Sequence, residues 1–124
     1  MLRKKNGLLK GRMVKNITRE ELKRKIDDKE DFVLADARES VEYRKEHIKG
    51  AIRLPMMIVA KRVNELGLDK DKNKEIVVYC RAVDCDASTV ASKKLEELGF
   101  TNIFHYAQGI EDWKKAGYKT EKGD

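Results

Sequence analysis

At 124 residues the chain fits one domain with one core and is too short for two that fold independently. Hydrophobic and charged residues each make up 40% of it, a balance that excludes a disordered tail on one side and a membrane-spanning protein on the other. The net charge of +6 is concentrated at one end: residues 1–16 carry Arg3, Lys4, Lys5, Lys10, Arg12 and Lys15 with no acid, and 28 basic residues less these six leave 22 against 22 acidic residues from Ile17 onward.

The expected organisation is therefore a basic N-terminal arm over 1–16 and a formally neutral domain over 17–124. With the charge confined to the arm, no nucleic-acid footprint is expected on the domain. Apolar stretches such as Gly7-Leu8-Leu9 are too short for a signal-peptide core, and nothing approaches a membrane span. These features predict a cytoplasmic protein without a membrane partner.

The domain opens at Thr18-Arg19-Glu20-Glu21, a capping box followed by the apolar face of a helix at Leu22 and Ile26. Phe32-Val33-Leu34-Ala35 is a continuous apolar run, the pattern of a strand buried on both faces, and Asp36 ends it. A short helix is predicted over Val41–Glu46, and a strand at Ala51-Ile52-Arg53-Leu54 stopped by Pro55, the single proline. A helix from Met57 to Leu66 follows, with Gly67 as a left-handed cap. Ile76-Val77-Val78-Tyr79, β-branched and aromatic throughout, predicts the central strand and runs directly into Cys80. Beyond a polar loop, Val90, Ala91, Leu95 and Leu98 have helical spacing over Ser88–Leu98, with Gly99 as the stop. Asn102–Tyr106 reads as a strand and Ile110–Ala116 as a short helix carrying Trp113. Strands alternating with helices predict an α/β fold: a small, mainly parallel β-sheet flanked by helices on both faces.

In open parallel sheets ligands bind beyond the carboxyl ends of the strands, which is where Cys80 falls. Backbone N–H groups between Arg81 and Ala87, together with the N-terminal end of the following helix, are expected to cup its sulfur, favour the thiolate and lower its pKa. On strand and loop context alone, a reactive thiol and a small buried apolar residue both remain open. Cys85, five residues on, forms neither a C-x-x-C motif nor a zinc-ligand spacing, so no metal site is expected. His105 has no partner evident in sequence.

Three segments in order resemble the rhodanese family. Asp36-Ala37-Arg38-Glu39-Ser40-Val41-Glu42-Tyr43 runs into His47-Ile48-Lys49-Gly50-Ala51-Ile52-Arg53-Leu54-Pro55, similar to the family's D-x-R-x-x-x-E-[YF] and G-H-I-x-G-A-x-x-[LI]-P signature. Ile76-Val77-Val78-Tyr79-Cys80 is similar to the strand that delivers the active-site cysteine. Gln108-Gly109-Ile110-Glu111-Asp112-Trp113-Lys114-Lys115-Ala116-Gly117-Tyr118 is similar to the family's G-G-[ILF]-x-x-W-x-x-x-G-[YF].

The resemblance implies a rhodanese-like fold and a sulfurtransferase that moves sulfane sulfur through a persulfide on Cys80 to a thiol or other nucleophilic acceptor. No metal or organic cofactor is implied. A small-molecule or protein sulfur donor and a thiol acceptor are the expected partners, and the protein is expected as a monomer or homodimer. The loop Cys80-Arg81-Ala82-Val83-Asp84-Cys85-Asp86-Ala87-Ser88 would bind the transferred sulfur, while Asp36, Arg38, Glu42 and His47 would form a structural polar network around it. The loop departs from the family's C-x-x-G-x-R followed by Ser or Thr: Val83 replaces the glycine, Cys85 takes the arginine position, and about two residues are inserted. Asp84 and Asp86 add negative charge where thiosulfate would approach, so a persulfide or polysulfide donor is expected instead. Cys85 is a candidate resolving thiol. Two other functions fit the same residues: a non-catalytic binding module on the same fold, and a thiol-redox enzyme using Cys80 and Cys85.

Overall fold

The computed structural model describes residues 14–124; the predicted arm, apart from its last three residues, lies outside them. Five strands form one parallel sheet: β1 (Val14–Asn16), β2 (Val33–Asp36), β4 (Ile52–Arg53), β5 (Ile76–Tyr79) and β6 (Ile103–Tyr106), in the order β1-β6-β5-β2-β4. A separate antiparallel pair joins β3 (His47–Ile48) to β7 (Thr120–Glu121). The helices are α1 (Arg19–Asp27), α2 (Ser40–Lys45), α3 (Val59–Leu66), α4 (Ala87–Glu97) and α5 (Gly109–Lys115).

Each strand presents alternate residues to opposite faces, which divides the core in two. Leu34, Val77, Tyr79 and Tyr106 pack with Leu22 of α1, Tyr43 of α2, and Ile110 and Trp113 of α5. Ala35, Ile76, Val78 and Ile103 pack with Val59 and Val63 of α3, and Ala91 and Leu95 of α4. The continuous apolar run of β5 thus reflects burial on both sides, and β5 lies at the centre of the sheet, as its composition predicts. The same alternation carried one residue past Tyr79 puts Cys80 on the α4 face.

Local chemistry accounts for most element boundaries. Thr18 caps α1, its Oγ1 accepting from Glu21 N at 3.0 Å while Thr18 N donates to Glu21 Oε1 at 2.8 Å. Gly67 ends α3 at φ 71°, in the left-handed region. The helix expected from Met57 instead begins as a 3-10 turn, Met56–Ile58, after Pro55, and becomes α-helical only at Val59. Ile58, at φ −133°, interrupts the α conformation between the two.

The sheet also claims Val14–Asn16, which the sequence assigns to the basic arm. Val14, Lys15 and Asn16 align with Ile103, Phe104 and His105, and Ile17 N donates to His105 O at 3.1 Å. A three-residue edge strand whose last two side chains are exposed carries almost no hydrophobic pattern, so its pairing is set by the neighbouring strand rather than by its own composition. No helix among the described residues is long and apolar enough to cross a membrane.

Replacing the cap hydroxyl, Thr18→Ala, is expected to lower stability by about 1 kcal/mol in chemical denaturation. An unchanged midpoint would show that α1 is held by its packing alone.

Candidate active site around Cys80

Cys80 follows β5 at its carboxyl end, and the segment that leaves it is tied to a second helix before it enters α4. The N–H groups of Ile110 and Glu111, in the first turn of α5, donate to the carbonyls of Cys80 at 3.0 Å and Arg81 at 3.1 Å. These are N–H groups with no partner inside their own helix, so the loop satisfies them. Gly109 makes that approach possible. At φ +71°, a Cβ on it would lie 2.6 Å from the carbonyl oxygens of Cys80 and Arg81.

The loop then closes over the sulfur. Cys85 N donates to Ala82 O at 3.0 Å, and Asp86 caps α4 through its backbone without a side-chain hydrogen bond. Arg81 lies outside, donating to Asp84 at 2.6 Å and Glu111 at 2.8 Å, which leaves its guanidinium engaged and raises its pKa. Val83 and Asp84 are exposed, whereas Cys80 is only 1% exposed.

Two sulfurs occupy the end of α4, and they are treated differently. Cys80 Sγ lies 3.1 Å from Ser88 Oγ and 3.4 Å from the carbonyl oxygen of Cys85. Burial pushes the Cys80 thiol up and contact with Cys85 adds to the rise, against hydrogen bonds from the Ser88 hydroxyl and backbone. For Cys85 burial also acts upward, but hydrogen bonds from the Cys80 thiol and the backbone of Arg81 and Ala87 outweigh it and the pKa falls. The amide cup expected around Cys80 is thus shared: Arg81 and Ala87 serve Cys85, and Ser88 serves Cys80. The depressed Cys80 pKa expected from sequence is reversed, because burial, with the Cys85 thiol alongside, outweighs the hydroxyl and amide of Ser88.

His105 completes the constellation. Its Nε2 lies 2.7 Å from Ser88 Oγ, so Cys80, Ser88 and His105 form one hydrogen-bonded chain. Burial lowers the His105 pKa, which keeps the ring neutral at physiological pH. The signal in the sequence was parity: Ile103 and His105 share a face of β6, as Ile76, Val78 and Cys80 do on β5, and β6 pairs with β5 with Val78 opposite His105.

The polar residues of the first signature motif separate into three environments. Asp36 is fully buried and accepts from Arg38 Nε at 3.0 Å and Nη2 at 2.8 Å, while Arg38 Nη2 also donates to Glu46 O at 2.5 Å. His47 is buried against the Tyr43 ring, 3.8 Å between centroids and nearly parallel, with Nδ1 2.7 Å from Tyr43 O and Nε2 3.3 Å from Glu121. Glu42 belongs to neither group. It is exposed and pairs with Lys45 at 3.6 Å, because its place on α2 turns it to solvent. Trp113 is a core residue whose indole donates to Lys119 O at 3.0 Å. Among the described residues no cluster of His, Cys, Asp and Glu could hold a metal ion.

The profile of the rhodanese-like domain matches residues 18–116. The chain is 33% identical over 100 residues to YrkF of Bacillus subtilis (strain 168), an alignment that covers 81% of this chain and 51% of that protein. It is 31% identical over 105 residues to a sulfurtransferase of Allochromatium vinosum, covering 85% of this chain and 92% of the other. The chain therefore spans about half of the first relative and most of the second. Among solved structures, the BH2092 protein of Bacillus halodurans superposes with a TM-score of 0.78 at 27% identity, covering 90% of this chain and 80% of that one.

Two substitutions test this arrangement. Arg38→Ala leaves the Asp36 carboxylate buried without its partner and is expected to cost roughly 3 kcal/mol in chemical denaturation, whereas Glu42→Ala should cost less than about 0.5 kcal/mol. Equal losses would return Glu42 to the network. Gly109→Ala is expected to push the loop off α5, so that Cys80 reacts faster with a thiol reagent than in the wild type. Unchanged protection of Cys80 would contradict the docking role assigned to Gly109.

Proposed function

The chain belongs to the rhodanese-like domain family, and from that premise we propose that it is a sulfurtransferase that carries sulfane sulfur as a persulfide on Cys80. The outer sulfur then passes to a thiol or another nucleophilic acceptor. One observation carries this reading: the Cys80 sulfur lies at the end of the central strand, hydrogen-bonded by the first turn of α4. Orphan N–H groups and the helix dipole there favour an anionic sulfur once one forms. The similarity to a protein named as a sulfurtransferase supports it.

The donor in this reading is a low-molecular-weight persulfide, a polysulfide or a protein persulfide. Thiosulfate, a small dianion, would need a free cation near the loop, and Arg81 is already paired with Asp84 and Glu111. Neutralising Asp84 in this way also removes some of the repulsion that the loop carboxylates would exert on an anionic donor. Because Cys80 is buried, the donor reaches it only when part of its surroundings moves aside. Such chemistry needs free thiols, which suits a reducing cytoplasm.

A second reading is favoured by the contact between the two thiols. Cys85 is the more accessible and the more acidic of the pair, so a persulfide on Cys80 could be attacked by Cys85, forming a Cys80–Cys85 disulfide and releasing hydrogen sulfide. In that case the domain is a thiol-redox enzyme that reduces sulfane sulfur.

Intact mass after exposure to polysulfide, glutathione persulfide and thiosulfate in turn separates the readings. The expected result is a gain of one sulfur atom with the first two donors, weaker with thiosulfate and absent in Cys80→Ser. A gain abolished by Cys85→Ser and retained in Cys80→Ser would overturn the assignment of the carrier sulfur. Loss of two hydrogens with no sulfur gained would select the redox reading.

A further inference from the structure

The Cys80 thiol raises a difficulty for the reaction proposed above. A buried thiol whose pKa is pushed up is protonated at neutral pH, and a protonated thiol is a poor nucleophile. A proton must leave the sulfur as it attacks, and in the resting structure solvent is excluded from it. Three groups lie against the sulfur: the Cys85 carbonyl, which cannot hold a proton at neutral pH, the Cys85 thiol, with which Cys80 shares a hydrogen bond, and the Ser88 hydroxyl, which leads on to His105.

Resting on that sulfurtransferase reading, we propose that Cys80, Ser88 and His105 form a proton relay in which His105 accepts the thiol proton through Ser88 as the sulfur attacks its donor. The distances suit each step, 3.1 Å from Cys80 Sγ to Ser88 Oγ and 2.7 Å from Ser88 Oγ to His105 Nε2. Before attack, the thiol donates to Ser88 Oγ and the Ser88 hydroxyl donates to His105 Nε2. After attack the same heavy atoms carry the opposite polarity. The Ser88 hydroxyl then donates towards the sulfur, and the imidazolium donates from Nε2 to Ser88 Oγ. His105 touches neither sulfur nor donor, so it is a positioning residue for the proton.

For a persulfide donor R–S–SH the step balances as follows. A bond forms between Cys80 Sγ and the outer sulfur of the donor, and the donor's S–S bond breaks. The Cys80 proton moves to Ser88 while the proton of Ser88 moves to His105. The departing thiolate R–S⁻ takes a proton from solvent, and His105 returns one to solvent. The products are Cys80–S–SH and R–SH, with no net oxidation.

His105 suits this task because it is neutral before the reaction. On the α4 face the Ser88 hydroxyl meets its Nε2 with the Cys80 thiol beyond, while Asn16 of β1 and Val78 of β5 flank it in the sheet. Burial is the influence that lowers its pKa. A ring already protonated could accept nothing, so a lowered value extends the working range downward in pH.

The test uses Cys85→Ser protein, in which Cys80 is the one remaining thiol, and follows two reactions of Cys80 from about pH 5 to about pH 9. One is alkylation by iodoacetamide and the other is persulfide formation from polysulfide. With His105 present, both rates should rise through an inflection below the ordinary histidine value of 6.5 and then level off. His105→Gln keeps a hydrogen-bonding group beside Ser88 but cannot accept a proton. It should lower the neutral-pH rates about 100-fold, remove that inflection, and recover only as hydroxide deprotonates the thiol. In His105→Ala, added imidazole should restore part of the rate, which a purely structural role would not allow. Ser88→Ala should show the loss without the rescue.

Unchanged rates and an unchanged inflection in His105→Gln would overturn the relay. Alkylation that follows the relay pattern while polysulfide gives no adduct at any pH would leave the relay standing and remove the sulfurtransferase reading. An adduct that forms with the same pH profile in both proteins would do the reverse.

Discussion

The contact between the Cys80 sulfur and Ser88 rests on three elements meeting at one point. Strand β5 delivers the cysteine on the face that α4 covers, α4 begins with Ala87 and Ser88 directed at two sulfurs, and the first turn of α5 fixes the carbonyls of Cys80 and Arg81. None of the three is sufficient alone. Gly109 is the hinge of the arrangement, since only a residue without a Cβ lets the loop lie against α5 at φ +71°. The core on each face of the sheet serves mainly to hold these element ends in register.

The same geometry decides which charge state the sulfur prefers. A neutral hydrogen bond contributes about 1 kcal/mol net, while taking an anion out of water costs several kcal/mol. Two donors from Ser88 therefore do not compensate for burial, and Cys80 rests as a thiol. Cys85, nearer to solvent and facing the amides of Arg81 and Ala87, reaches the opposite balance. The loop thus holds one protected sulfur and one acidic sulfur in contact. Reactivity at Cys80 then depends on a group that removes its proton during the reaction, and on a movement that opens the buried sulfur to its donor.

Much of the fold was legible because its signals are local. The capping box at Thr18, the left-handed cap at Gly67 and the unbroken apolar run of β5 each have one physical reading, and each is present. The features that escaped depend on neighbours. Strand β1 exists because β6 offers it an open edge, and β3 and β7 pair across more than seventy residues of chain. The site divides along the same line. The position of Cys80 followed from the strand that carries it, but the sharing of amides between two sulfurs depends on the path of an atypical loop. Glu42 was grouped with Asp36 and Arg38 by motif, although the turn of α2 directs it to solvent. His105 was legible only through the parity of two strands and the register between them.

Cys80 is a neutral, buried thiol at rest. Ultraviolet titration of the thiolate in Cys85→Ser protein measures this directly, because no other thiol remains. Cys80 is expected to ionise above the ordinary range for a cysteine thiol. Ionisation below that range would contradict it, and would mean that backbone amides rather than burial govern the sulfur.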